Sequence, residues 1–285
     1  MISTKIICSL ICAVVLAAGP CTSQQKPPEK PAEKTKDNYP LVIEASPARQ
    51  QAAEDAWNSL LSENRLAFTQ PEFEPILYTP RALPAALANQ INIKPQEKKA
   101  DEILDEAQAK EYLRRFIERY HAVLSGDQRA SSLSLKDISL INFSSDSSMF
   151  RATYQQMNYP FPLANGFGQL RITISKTGAI LQLSSTIIPA AEFPARPKIE
   201  LAESKKRLLG REFTYSNFAG QPLTYKVAQE AEISLKDLVI YPRITDQKMT
   251  LHLVYPFEIG RGTTWTVFVD AVTGEEIETK QNFQS

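Results

Sequence analysis

Residues 265–275 read Trp265-Thr266-Val267-Phe268-Val269-Asp270-Ala271-Val272-Thr273-Gly274-Glu275, and this stretch decides the fold class. Trp265 to Val269 combines aromatic and β-branched residues, which suit a pleated, half-buried surface. Asp270 is followed by Thr273-Gly274. An aspartate accepts hydrogen bonds from backbone amides two or three residues on, and glycine takes positive φ at no steric cost. The segment is therefore a strand, a tight turn and the start of a returning strand. Asp270 and Gly274 read as turn chemistry rather than as an acid or a metal ligand.

Working back from this hairpin, Leu238 to Tyr241 and Met249 to Tyr255 read as further strands. Met249, Leu251, Leu253 and Tyr255 share one face, which places His252 on the other, towards solvent. Leu201 to Leu209 is a short amphipathic helix ended by Gly210. Phe193-Pro194-Ala195-Arg196-Pro197 marks a boundary. Before it, Leu170, Ile172 and Ile174 alternate with Arg171 and Thr173, then Lys176-Thr177-Gly178 turns the chain into Ile180, Leu181 and Leu183. That is an antiparallel hairpin with one wet face. Gly166-Phe167-Gly168 is too short for a phosphate loop and reads as a β-turn.

Further upstream the strand signal changes phase: Ile138 and Leu140 share one parity, Ile141 and Phe143 the other, with Phe150 and Tyr154 following. Ile103 to Leu124 is the strongest helix, with apolar residues at i, i+3 and i+4. Glu102, Asp105 and Glu106 form the solvated side of its start, and His121 near its end suits the helix dipole. Phe68 to Ile93, with four prolines, reads as irregular with one strand and a helical turn. Ser46-Pro47 is a helix start for the run through Trp57, Leu60 and Leu61.

Lysine plus arginine and aspartate plus glutamate number 32 each in 285 residues. No global field draws in nucleic acid, so no nucleic-acid partner is expected. Lys5 and the apolar run Ile6 to Ala18 form a signal peptide over residues 1–23, the alternative being an N-terminal membrane anchor. All three cysteines, Cys8, Cys12 and Cys21, lie in that segment. Leu16-Ala17-Ala18-Gly19-Pro20-Cys21 is close to a lipobox, with Pro20 standing where a small residue belongs. Lipidation of Cys21 and ordinary secretion are the two readings. Residues 24–38, rich in proline, lysine and glutamate, form a semi-extended tether. The chain is expected in the periplasm, cell envelope or extracellular space.

No His-Glu-x-x-His occurs, so the zinc site it builds is excluded; neither a Gly-x-Ser-x-Gly elbow nor a dinucleotide fingerprint is present. The carboxylates are scattered among lysines. No catalytic, metal or cofactor-binding residue is assigned, and no cofactor is expected.

Tyr154-Gln155-Gln156-Met157-Asn158-Tyr159-Pro160-Phe161-Pro162 resembles the segment that marks propeptides of thermolysin-like and fungalysin-like metalloproteases. The stretch 265–275 resembles the close of a PepSY domain. The likeness runs through residues 50–280 and includes the order of parts: a helix with Trp57, a long helix, the Tyr154-Gln155-Gln156 strand, a hairpin at Gly178, then a helix and sheet. It implies an α+β fold of two antiparallel sheets, each packed by helices on one face. An FTP-like domain would span 39–193 and a PepSY-like domain 194–285. The family usually continues after the glutamines with Gly-Ile-Pro-Val; here Tyr159-Pro160-Phe161-Pro162-Leu163 keeps proline and loses the leading glycine.

Such propeptides chaperone and inhibit the protease that follows them. The resemblance thus implies a free-standing, non-catalytic exported protein acting in trans on a secreted or periplasmic metalloprotease. Tyr154, Gln155, Gln156, Pro162, Trp265, Asp270 and Gly274 are its candidate interaction or fold-motif residues. The membrane enters only through lipid at Cys21 or an uncleaved signal. The alternatives are an envelope structural protein that has kept the fold alone and a hydrolase of unrecognised type.

Overall fold

Ser46 and Pro47 start a helix for the reason their chemistry gives: the Ser46 hydroxyl accepts the Arg49 amide, and Pro47 holds the first helical position. The computed structural model describes residues 39–95, 101–126, 129–144, 147–193, 196–216, 220–260 and 264–282. The signal peptide, the tether and Cys21 lie outside the described residues. Strand β1 (Leu41–Glu44) precedes helix α1 (Pro47–Glu63). The region 68–93 holds two short paired strands, β2 (Glu72–Phe73) and β3 (Pro80–Ala82), and a 3₁₀ turn at Ala85–Leu87.

The long helical pattern divides at Tyr120 into α2 (Glu106–Arg119) and α3 (His121–Ser125). α2 starts later than the apolar pattern suggests. The Asp105 carboxylate accepts the Gln108 amide while the Gln108 side chain accepts the Asp105 amide. This reciprocal cap sets the boundary and leaves Ile103 exposed outside the helix.

β4 (Leu133–Ser144), β5 (Ser147–Gln156), β6 (Gln169–Ser175) and β7 (Ile180–Ser185) form an antiparallel sheet in sequence order. Bulges between Leu135 and Asp137 and between Asn142 and Ser144 interrupt the pairing of β4, whereas the change of parity from Leu140 to Ile141 falls where the ladder is regular. Trp57, Leu60, Leu113, Phe116 and Leu124 of the helices pack against Phe150, Ala152, Leu170, Ile172 and Ile174 on one face. Burying each large apolar side chain contributes about 1.5–3 kcal/mol. Exposed ion pairs such as Arg115–Glu111 on α2 are screened by solvent and add little. Packing of this face, not surface charge, holds the helices to the sheet.

The rest of the chain supplies α4 (Leu201–Lys206), β8 (Glu212–Ser216), β9 (Pro222–Lys226), β10 (Ile233–Leu235), β11 (Val239–Thr245), β12 (Lys248–Ile259), β13 (Thr264–Asp270) and β14 (Glu276–Asn282). Together with β1, strands β10 to β14 make a six-stranded antiparallel sheet. β12 is its spine. Its first half lies between β1 and β11, and its second half between β13 and β10. β8 and β9 form a separate hairpin, whose Phe213 packs with Leu208, Val227, Phe257, Trp265 and Val267. α4 ends at Lys206 rather than Leu209, and Leu209 is exposed.

The fold is thus mixed α+β, with α1 to α3 gathered on the four-stranded sheet and Leu208, just past α4, packed on the six-stranded one. Sequence order and spatial order part company at both ends. Residues 41–44 pair with residues 248–251 of the C-terminal sheet. Ile76, Leu77, Tyr159, Leu163 and Ile188 pack against Met249, Leu251 and Leu253, and Leu163 bridges Ile240.

Candidate functional site

The turn after β13 is built from Asp270. Its Oδ1 accepts the Val272 and Thr273 amides at 2.8 and 2.9 Å, and Gly274, at φ 77°, closes the turn by donating its amide to the Asp270 carbonyl at 2.8 Å. The other carboxylate oxygen has partners from far away. Tyr39 Oη donates to Oδ2 at 2.7 Å, and His252 Nδ1 lies 2.9 Å from the same atom. An ionised carboxylate only accepts, so the His252 proton sits on Nδ1. The second ring nitrogen, Nε2, is 3.2 Å from Thr250 Oγ1.

The strand topology explains why these three side chains meet. β1 and β13 lie end to end along one edge of β12: Leu41 faces Leu251, and Asp270 faces Val254. The Leu253 amide falls in the gap between them and donates to Tyr39 Oη at 2.9 Å. Tyr39 therefore completes the ladder with a side chain where no backbone carbonyl reaches. His252 does not face solvent as the alternation pattern suggests. Its side chain is only 13% exposed, because Tyr39 and Asp270 cover it.

Burial alone pushes the Asp270 carboxyl up, but hydrogen bonds from His252, the Thr273 amide, Tyr39 and the Val272 amide outweigh it and hold the group below the usual carboxylate range. Burial, followed by the bond to Asp270 and its charge, pushes the Tyr39 phenol well above its ordinary value. The cluster has the ingredients of acid–base chemistry, yet every carboxylate oxygen and both ring nitrogens are occupied within the fold. Among the described residues, no group of three or more His, Cys, Asp or Glu is placed to hold a metal ion.

The remaining sequence-selected residues are dispersed. Gln156 is 5% exposed and acts like a piece of backbone: its amide donates to the Ile188 carbonyl at 2.8 Å and accepts the Ile188 amide at 3.0 Å. Tyr154 faces the helices inside the core, where burial pushes its phenol up to about 12. Pro162 is exposed, and its carbonyl accepts the Ile240 amide at 2.8 Å. Trp265 is stacked between Phe213 and Tyr225, with ring centroids 5.0 and 5.5 Å away. Asp270 and Gly274 share a turn. The structure does not gather the others around them.

The face of the four-stranded sheet opposite the helices holds what the sequence does not reveal. A groove of about 770 Å3 runs across β4, β5, β6 and β7 and is walled by β3 at one side. Thr79 fixes that wall by donating to the Ser185 carbonyl at 2.9 Å. Lys136, Arg151 and Arg171 line the groove beside one carboxylate, Asp137, with Arg81 at the rim. Arg81 lies 3.5 Å from Glu72 and 3.7 Å from Glu74, so its charge is compensated outside the groove. Arg171 donates only to the neutral Gln169 Oε1. Among the described residues, Lys136 and Arg151 have no ion-pair or hydrogen-bonding partner for their charged groups. Gln155 lies on this same face of β5, between Ser134 and Gln169 in the ladder.

No protein-family model matches the chain, and no curated protein sequence matches it. Among solved structures, the C-terminal domain of Bacillus megaterium YpeB is similar over 85% of this chain and 99% of that one. The two share 14% sequence identity, and the TM-score is 0.31.

Proposed function

We propose that this chain is a non-catalytic exported binding protein of the propeptide type, which docks on a metalloprotease to inhibit it or assist its folding. The observation that carries the binding part is the groove on the four-stranded sheet, an open face on which Lys136, Arg151 and Arg171 stand without an ion-paired carboxylate. Such a face is unfavourable to maintain in isolation and favourable to present to a complementary surface. The Tyr39–Asp270–His252 cluster supports a non-catalytic reading because its hydrogen-bonding capacity is already used in joining β1 to β13. The choice of a metalloprotease as partner comes from the resemblance of residues 154–162 and 265–275 to propeptide segments.

The test is direct. Purified protein is mixed with metalloproteases secreted by the same organism, and residual proteolysis, refolding yield and co-elution are measured. The expected outcome is inhibition or improved refolding together with co-elution for at least one protease. No change in all three measurements would sink the proposal.

A further inference from the structure

We infer that the groove on the four-stranded sheet is a binding site for an extended acidic peptide segment, with side-chain carboxylates at alternate positions. The inference rests on reading the protein as a binding module and names the chemistry of what that module holds.

The first observation is the bulge in β4. Pairing skips from Leu135 to Asp137, so Lys136 is the extra residue. Strict alternation would send Lys136 and Asp137 to opposite faces, yet both line the groove. A bulge re-aims a side chain in this way. The second observation is the cross-strand arrangement. Arg151 faces Thr173, and Arg171 faces Thr153, which makes the two arginines diagonal neighbours on β5 and β6. Diagonal neighbours of this kind stand roughly 7–8 Å apart, and like charges so placed repel. Neither arginine has a carboxylate partner on the sheet.

That spacing selects a ligand. Same-side residues of an extended chain repeat every ~6.6–6.8 Å, two rises of a strand. Carboxylates at alternate positions can therefore meet Arg151 and Arg171 in turn, each accepting from a guanidinium fork. Lys136 adds a third cation towards the edge of the sheet, and Thr153, Thr173 and Gln182 supply neutral hydrogen-bonding groups between them. A nucleic-acid strand fits less well, because no aromatic residue lines the groove for bases to stack on.

The experiment uses the whole protein and fluorescein-labelled hexapeptides of alternating glutamate and serine, with the lysine–serine counterpart and oligothymidylate as comparison probes, in fluorescence anisotropy at low ionic strength. The glutamate peptide binds and the lysine peptide does not. R151E weakens binding about tenfold or more, and the charge-removing double variant K136Q/R171Q weakens it similarly. R243E, which alters an exposed cation on β11, leaves binding unchanged, and all variants keep the wild-type thermal transition. Absence of glutamate-peptide binding, equal loss in R243E, or tighter binding of oligothymidylate through Arg151 overturns the inference. Failure here with protease inhibition intact removes the groove assignment alone. Peptide binding without any effect on proteases upholds the groove and removes the protease as partner.

Discussion

Tyr39 stands outside every element of the fold, yet it serves two: its hydroxyl accepts the Leu253 amide and donates to Asp270. Removing that oxygen leaves a backbone donor and a buried carboxylate each short of a partner. Tyr39→Phe is therefore expected to lower the unfolding free energy by about 1–3 kcal/mol, read as a shift in the urea midpoint with an unchanged slope. The same cluster sets two limits on pH. The Asp270 carboxyl is held below its ordinary value in the folded state, so its contribution is complete above the unfolded value of ~3.9 and is lost as pH falls through the folded one. The Tyr39 phenol is held above its ordinary value. Its contribution is complete below ~10 and is lost as pH rises past that point. Unfolding curves against pH should show an acid limb that Asp270→Asn reduces and an alkaline limb that Tyr39→Phe reduces. Limbs that both variants leave unaltered would show that these groups do not titrate as described. The turn half of the Asp270 site was legible in the sequence, because its amide donors lie two and three residues on. The other half was not: Tyr39 is 231 residues away and His252 is 18 away, and no local pattern connects them.

At the level of elements, Gln156 ends β5 and fastens the segment after β7 through its pair of bonds to Ile188. Gln156→Leu keeps the volume but leaves the buried Ile188 amide and carbonyl unpaired, at a cost of about 1–3 kcal/mol in thermal or urea unfolding. A variant as stable as the wild type would show that the contact contributes nothing. The paired glutamines stand out in the sequence, whereas the opposite directions of their side chains follow only from the strand they occupy. Strands and helices with clean periodicity, such as residues 170–174, were readable because one face of each is buried. The β8–β9 hairpin left a weaker trace. Phe213 and Tyr215 alternate with polar residues, as do Leu223 and Tyr225, but both strands are short and the partner they cover, Trp265, is remote. The bulge at Lys136 lies away from the change of parity between Leu140 and Ile141, and no local pattern reveals that it turns a cation into a groove.

Across the described residues, one sheet is covered by helices on a single face, and the other buries Met249, Leu251 and Leu253 on one face of β12 and Val254 on the opposite face. The α+β class follows from the order of periodic segments. The threading of β1 into the C-terminal sheet does not, because a four-residue strand carries little pattern of its own. The consequence for function is spatial. On the proposed reading, the polar cluster at Asp270 serves the fold by joining β1 to β13, and the open face of the helix-covered sheet is the surface offered to a partner. That division is the central claim, and co-elution with a secreted metalloprotease by wild type, R151E and Tyr39→Phe tests it most directly, at a temperature where all three are folded. The account predicts that wild type and Tyr39→Phe form the complex and R151E does not. Complex formation by R151E equal to wild type, or no complex with any of the three, would contradict it.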